Sequence, residues 1–191
     1  MKNECDYNYY NSAYLDKTVI NYQCHYKKST YYAMWLEVLK IINAIKPNKI
    51  LELGCGVGQF ANMLFDNNID NYTGIDFSTV AIKKAIEKNK KGRFIPINLY
   101  SQQATELIRQ HNYIICLETL EHLQNDLDVV AAIKPGTTFI FSLPDFDCES
   151  HVRYFKSKQD LIKRYKHLLN FTSCSIFKIK NIYYICNTIR K

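Results

Sequence analysis

Residues 49–59 read Lys-Ile-Leu-Glu-Leu-Gly-Cys-Gly-Val-Gly-Gln, a short apolar run that leads directly into three closely spaced glycines. The apolar run predicts a buried strand, and the pattern over residues 59–67 predicts a helix after the glycines. Glycines let the backbone turn tightly and let a ligand approach the main-chain amides, because no Cβ stands in the way. The stretch therefore predicts a strand, a ligand-binding loop and a helix.

The same alternation of strand and helix continues along the chain. Apolar runs predict further strands at 72–77, 93–99, 113–117 and 137–143. Helical patterns occupy residues 31–45, 78–89, 102–110, 125–133 and 157–169, and Ser78 is a predicted N-cap. Two β-rich segments, 171–180 and 182–191, predict a C-terminal antiparallel hairpin. We therefore expect an α/β fold: a doubly wound, mostly parallel, seven-stranded sheet with helices on both faces.

Composition excludes several classes of protein. The chain has 191 residues, of which 47% are apolar and 23% charged, with only 6 Gly and 4 Pro, so a disordered chain is excluded. No linker divides it, and we expect one domain over residues 30–191, preceded by a tyrosine-rich cap or lid over residues 1–29. The seven cysteines show no metal-binding spacing, which predicts a reduced protein. The sequence has no leader and no apolar run of eighteen residues, which predicts a cytoplasmic protein without a membrane span.

Charge is unevenly distributed along the chain. Residues 151–191 hold ten Lys and Arg and one acid, whereas residues 1–150 hold fifteen Lys and Arg and seventeen acids. A basic surplus attracts nucleic acid or an anionic small molecule. Ordinary solvated lysines explain the same count, so nucleic acid is the less favoured partner.

An acidic residue follows the glycine loop at the spacing found in nucleotide-binding folds. Asp76 stands at the end of the second predicted strand, twenty-two residues after Gly54. An acid in this place accepts hydrogen bonds from the hydroxyls of a ribose. Strand, loop, helix and acid together predict a site for a nucleoside ligand.

The residues Glu52-Leu53-Gly54-Cys55-Gly56-Val57-Gly58 resemble the acid-x-G-x-G-x-G motif of the class I S-adenosylmethionine-dependent methyltransferases. The resemblance covers about residues 30–191 and includes the stretch Glu-Thr-Leu-Glu-His-Leu at 118–123. It implies a Rossmann-like fold, S-adenosylmethionine as the methyl donor and S-adenosylhomocysteine as the product. It also implies a set of cofactor-binding residues: Glu52, Gly54, Cys55, Gly56, Gly58, Asp76, Phe77, Asn98, Leu99 and Glu118.

The stretch 118–123 allows three interpretations. If it is helical, Glu118, Glu121 and His122 share one face at the edge of the fourth strand. In the first interpretation, His122 or His151 is the catalytic base that removes a proton from a substrate hydroxyl. In the second, Glu118, Glu121 and His122 bind a divalent cation, Mg²⁺ or Mn²⁺. In the third, these residues only cap a helix.

Two branches of the resembling family carry a comparable E-x-x-E-H stretch with a metal: the ubiquinone-pathway O-methyltransferases and the enzymes that methylate the 3′ end of small RNAs. The RNA branch has a longer histidine-rich segment where this chain has only His151. We therefore expect methyl transfer to an oxygen, rather than a nitrogen, of a small molecule. The alternatives are a metal-assisted RNA 2′-O-methyltransferase and a non-catalytic subunit that binds an adenosyl ligand and acts through a partner.

Overall fold

The computed structural model describes residues 2–191, and in this range seven strands form one sheet. The strands are β1 (Ile50–Leu53), β2 (Tyr72–Asp76), β3 (Arg93–Pro96), β4 (Tyr113–Leu117), β5 (Thr138–Pro144), β6 (Leu169–Lys178) and β7 (Ile182–Arg190). Their order across the sheet is β3-β2-β1-β4-β5-β7-β6. All pairs are parallel except those of β7, which runs antiparallel to both β5 and β6. The predicted fold class is confirmed.

Eight α-helices surround this sheet within residues 2–191. They are α1 (Tyr7–Leu15), α2 (Ile20–Gln23), α3 (Tyr32–Ile45), α4 (Gln59–Asp66), α5 (Thr79–Lys88), α6 (Gln102–Arg109), α7 (Asp126–Ala132) and α8 (Lys158–Tyr165). Helices α3, α4 and α5 contribute to the apolar core on one face, and α6, α7 and α8 to the core on the other. The two cores bury both faces of the central strands, which explains their continuous apolar runs.

Local sequence signals mark several helix boundaries. The Ser78 hydroxyl accepts a hydrogen bond from the Ala81 N–H at 3.1 Å, which confirms the predicted N-cap of α5. Helix α3 ends at Ile45 because Lys46 takes a left-handed conformation, with φ of 52°, directly before Pro47.

Three predicted elements are shorter in the structure by three residues or more. Strand β3 ends at Pro96 instead of residue 99, because its neighbour β2 ends at Asp76, the residue opposite Pro96. Helix α8 ends at Tyr165 instead of residue 169, because Leu169 already pairs with Arg190 in the sheet. The helix considered for residues 118–123 is only a 3-10 turn over Leu120–His122.

Candidate active site

A cavity lies beyond the carboxyl ends of β1, β2 and β4. The strand order reverses between β1 and β4, which is where doubly wound sheets bind ligands. The volume of the cavity is about 260 Å³. Nine residues that the sequence assigns to the cofactor line it: Glu52, Gly54, Cys55, Gly56, Asp76, Phe77, Asn98, Leu99 and Glu118.

Gly58 is the exception among the expected cofactor residues. It is the residue before α4, with φ of 72°, and it lies behind the loop instead of at the cavity. A Cβ at this position would come within 3.0 Å of the Ala85 Cβ and 3.2 Å of the Phe94 ring. Gly58 therefore allows the loop to pack closely against α5 and β3, and its expected role in cofactor binding stays a prediction.

Asp76 ends β2 and ties the glycine loop to the start of α5. Its Oδ2 accepts a hydrogen bond from the Gly56 N–H at 2.9 Å, and its Oδ1 accepts one from the Ser78 N–H at 2.8 Å. Burial raises the pKa of Asp76 to about 6, while the two amide hydrogen bonds act in the opposite direction. The side chain is therefore mainly a carboxylate at neutral pH, and its remaining lone pairs can accept hydrogen bonds from a ligand.

Two further carboxyl groups lie in the walls of the cavity, those of the buried Glu52 and the half-buried Glu118. The Tyr72 hydroxyl donates a hydrogen bond to Glu52, and burial raises the pKa of Glu52 to about 8. The Ser142 hydroxyl donates to Glu118 Oε1 at 2.8 Å and accepts from the Glu118 N–H at 3.0 Å, and burial raises the pKa of Glu118. Both carboxyl groups have a hydrogen-bond partner in the protein, and both favour the neutral form because burial disfavours the charged one.

The stretch after β4 does not place its acidic residues on one helix face. Glu118 has a left-handed conformation, with φ of 50°, and the single 3-10 turn begins two residues later. The Glu118 side chain is held by Ser142, whereas Glu121 and His122 belong to the turn itself. The helical arrangement of Glu118, Glu121 and His122 that the sequence allowed is therefore wrong.

The structure instead brings His122 together with His151. Their ring centroids are 4.9 Å apart. His122 Nδ1 is 2.9 Å from the Ser150 carbonyl oxygen, and His151 Nδ1 is 3.1 Å from that of Phe146. A carbonyl oxygen can only accept, so each Nδ1 carries the proton and each Nε2 keeps a free lone pair. Burial lowers the pKa of both rings, that of His122 to about 4, and the two imidazoles are neutral at neutral pH.

Glu121 lies beside the two histidines and is fully buried. Its Oε1 is 3.7 Å from His122 Nε2, and neither of its oxygens has a hydrogen-bond partner among residues 2–191. One ligand atom from each of Glu121, His122 and His151 lies within 4.8 Å of the others. Burial, followed by the charge of Glu118, raises the pKa of Glu121. A buried carboxyl without a partner is costly, which marks this corner as a place for a ligand, a proton or a cation.

Arg153 holds the two histidine-bearing segments together. Its guanidinium donates hydrogen bonds to the carbonyl oxygens of Leu120, Leu123 and Gln124, and its N–H donates to the Glu121 carbonyl oxygen. It also pairs with Asp126, which is fully buried and binds the side chains of Arg164 and Tyr165 as well. This network fixes the turn of His122 against the segment of His151.

The N-terminal segment covers the cavity. The Tyr10 ring lies 5.3 Å from the Phe77 ring and 5.8 Å from the His122 ring. The Tyr100 hydroxyl donates a hydrogen bond to Glu4 Oε2 at 2.6 Å. The Ser78 hydroxyl donates one to Asn11 Oδ1, also at 2.6 Å. The segment therefore lies over both Phe77 and His122. The tyrosine-rich composition indicated a role for the segment, but composition alone did not identify Tyr10 as the residue that joins them.

The charge of the cavity differs from that of the whole chain. No Lys or Arg within residues 2–191 lines the cavity. The acidic residues that line it are five: Glu4, Glu52, Asp76, Glu118 and Glu121. From the basic C-terminal fifth, only His151 reaches the cavity. The lining residues that sequence reasoning did not single out include the aromatic residues Tyr31, Trp35, Phe60 and Phe146. Within residues 2–191, no helix has both the length and the apolar character that crossing a membrane requires.

Comparison with known proteins finds similar sequences among methyltransferases. The ubiquinone biosynthesis O-methyltransferase of Aliivibrio fischeri strain MJ11 is 28% identical over 134 residues, covering 66% of this chain and 56% of the relative. The mRNA cap guanine-N(7) methyltransferase of Debaryomyces hansenii is 36% identical over 108 residues, which cover 55% of this chain and 20% of that protein. The chain thus spans about half the length of the ubiquinone relatives it matches.

Solved structures share the fold. The magnesium protoporphyrin IX methyltransferase of Synechocystis PCC 6803, solved with S-adenosylmethionine, matches with a TM-score of 0.65 and 16% identity, covering 85% of this chain and 80% of that one. The N-methyltransferase NodS of Bradyrhizobium japonicum WM9 matches with a TM-score of 0.64 and 16% identity, covering 84% and 87%. A family model described as a methyltransferase domain matches residues 26–186. With that match over most of its length, the chain belongs to the methyltransferase domain family, and its fold is that of the class I S-adenosylmethionine-dependent methyltransferases.

Proposed function

We propose that this protein transfers the methyl group of S-adenosylmethionine to an oxygen of a small-molecule acceptor. The observation that carries the choice of oxygen is the free Nε2 lone pair of His122, fixed by the hydrogen bond from Nδ1 to Ser150. A hydroxyl group must lose its proton when it is methylated, and this imidazole, which is neutral at neutral pH, offers its lone pair as the proton acceptor. The similarity to O-methyltransferases of ubiquinone biosynthesis supports the same choice.

The residues present fit the cofactor. The glycine loop exposes main-chain amides, and a Cβ at Gly56 would already come within 3.2 Å of the Tyr14 hydroxyl, so the space beside the loop exists only because this residue is glycine. Asp76 would accept hydrogen bonds from the ribose hydroxyls, and Phe77 would contact the adenine. When bound, S-adenosylmethionine supplies an electrophilic methyl group on a positively charged sulfur.

The chain's own residues would then bind, orient and deprotonate the acceptor. Tyr10 and the rest of the cap exclude water from the cavity, and Phe146 and Trp35 offer apolar surface to an acceptor. His122 Nε2 receives the hydroxyl proton, with His151 beside it as the second candidate base. Positioning supplies about 7–11 kcal/mol of barrier reduction in well-oriented reactions, and a base adds about two to four powers of ten in rate.

The test is a panel of small phenols, catechols and alcohols, each paired with its amine analogue, with formation of S-adenosylhomocysteine and methylated product as the readout. We expect O-methylated products. We also expect the His122→Gln variant to turn over at least about 10²-fold more slowly, with unchanged affinity for S-adenosylhomocysteine. His167→Gln, which alters an exposed histidine at the end of α8, is the matched control. Products methylated only on nitrogen, or full activity in His122→Gln, would contradict the proposal.

A second candidate is metal-assisted methyl transfer, which the unpartnered Glu121 carboxyl favours. Glu121, His122 and His151 would hold the cation, and a bound divalent cation would acidify a hydroxyl group of the acceptor. Two imidazole nitrogens and one carboxylate suit Mn²⁺ better than Mg²⁺, which prefers oxygen ligands. In calorimetry on protein loaded with S-adenosylhomocysteine, Mn²⁺ binding that is lost in Glu121→Gln would support this candidate, and absence of binding would exclude it.

A further inference from the structure

Two cysteines face each other across the C-terminal hairpin, far along the sheet from the glycine loop. Cys174 on β6 and Cys186 on β7 are directly opposite in the antiparallel register. Their Sγ atoms are 2.8 Å apart, and the Cys186 thiol donates to the Cys174 sulfur. Cys186 is fully buried, whereas Cys174 is 8% exposed. Both sulfurs belong to the apolar core on the face that α8 covers.

We propose that Cys174 and Cys186 form a redox-active dithiol that closes into a cross-strand disulfide. Directly opposed residues of antiparallel strands have Cα atoms about 4.5–5.5 Å apart. This separation lies within the roughly 4.4–6.8 Å that disulfides require, so the backbone need not move to form the bond. The pair does not depend on the proposed methyl acceptor, and its test is independent of enzyme activity.

The two thiols have different roles in the bond-forming reaction. The hydrogen bond from Cys186, followed by the nearby Lys158 ammonium, lowers the pKa of the Cys174 thiol, whereas burial raises the pKa of Cys186. Cys174 is also the less buried residue of the two, with 8% exposure against 0% for Cys186. Cys174 is therefore the nucleophile toward an incoming oxidant, and Cys186 is the resolving thiol.

The oxidant is a hydroperoxide, and the reaction balances with one molecule of it. The Cys174 thiolate attacks a peroxide oxygen, the O–O bond breaks, and a sulfenic acid and one water form when the peroxide is H₂O₂. The Cys186 sulfur then attacks the Cys174 sulfur, its proton leaves with the hydroxyl group, and a second water is released. The two thiols are oxidised by two electrons, and both peroxide oxygens are reduced to water.

The other five cysteines offer no such pair. Among residues 2–191, none of them has a thiol partner within hydrogen-bond contact. Burial raises the pKa of Cys55 and Cys116, which disfavours their thiolates. Disulfide formation at low peroxide should therefore begin at the hairpin.

The disulfide would connect the edge strand β6 to β7 and close a loop of thirteen residues. Closing a loop of this size reduces the entropy of the unfolded chain. For a chain of this length, the expected rise in Tm is on the order of 6–12 °C.

The experiment treats the full chain with stoichiometric H₂O₂, alkylates the remaining thiols, and maps the peptides by mass spectrometry. We expect the loss of two hydrogen masses, five alkylated cysteines, a 174–186 crosslink, and a Tm increase that dithiothreitol reverses. Cys174→Ser and Cys186→Ser should abolish the crosslink, whereas Cys24→Ser should retain it. Seven alkylated thiols after oxidation, or a crosslink between other cysteines, would overturn the proposal. The wild-type map decides the question even if a serine variant does not fold.

Discussion

Replacing Gly58 with alanine tests whether this glycine is needed for packing or for cofactor contact. Gly58 has φ of 72°, and an added Cβ would lie 2.7 Å from Asn89 Nδ2. That nitrogen cannot move away without loss, because it donates hydrogen bonds to the carbonyl oxygens of Ala85 and Gly58 in a buried position. Gly136 is the matched control, since it has φ of 82° and no heavy atom within 4 Å of its added Cβ.

The two substitutions share one cost and differ in the other. A left-handed conformation costs a residue with a Cβ about 1–2 kcal/mol, partly offset by about 0.4–1 kcal/mol from the smaller entropy of the unfolded chain. Overpacking adds about 1–3 kcal/mol at Gly58 only. We therefore expect Gly58→Ala to lower the free energy of unfolding by about 1–3 kcal/mol more than Gly136→Ala does.

Urea denaturation at 25 °C measures this difference, and calorimetry with S-adenosylhomocysteine on the folded variants measures binding. Gly58 does not line the cavity, so we expect its alanine variant, once folded, to bind the ligand about as well as the wild type. Equal destabilisation by both substitutions would refute the packing argument. Normal stability combined with lost binding would return Gly58 to the cofactor site.

Three further predictions concern the site. Asp76→Ala should weaken S-adenosylhomocysteine binding by about 10-fold to 150-fold in calorimetry, the effect of about 1.5–3 kcal/mol for one hydrogen bond to a charged group, whereas Asp70→Ala, at an exposed ion pair, should not. Arg153→Lys should lower kcat more than it changes KM and should shift the His122 ring signals in NMR, because the compact ammonium lacks the planar fork with which the guanidinium reaches all three carbonyl oxygens. Unchanged signals would argue against this positioning role. Between pH 6.5 and 8 the free energy of unfolding should fall, because the folded state keeps Glu52 protonated, with a pKa of about 8, and therefore binds more protons than the unfolded chain; urea denaturation of Glu52→Gln should give a shallower slope.

The sheet and the glycine loop could be predicted from sequence because their signals are local. The central strands are apolar runs buried on both faces, and Asp76 follows its loop at a characteristic spacing. The conformation of residues 118–123 is different, because its determinants are distant in sequence. Ser142 holds both the N–H and the carboxyl of Glu118, and Arg153 binds the carbonyl oxygens of the turn from about thirty residues away. Spacings of three and four residues fit a helix and this turn equally well, so the sequence could not distinguish them.

The choice between a base and a metal depends on one atom, the Nε2 of His122. The Ser150 carbonyl oxygen fixes the proton on Nδ1, so Nε2 has a single lone pair. A lone pair bound to a cation cannot also accept a proton, and the two mechanisms therefore exclude each other at this residue. His122→Gln would slow both, whereas Glu121→Gln removes a metal ligand and leaves the imidazole in place. If Glu121→Gln retains turnover and the wild type shows no Mn²⁺ dependence, His122 acts as the base; if turnover needs Mn²⁺ and is lost in Glu121→Gln, His122 is a metal ligand.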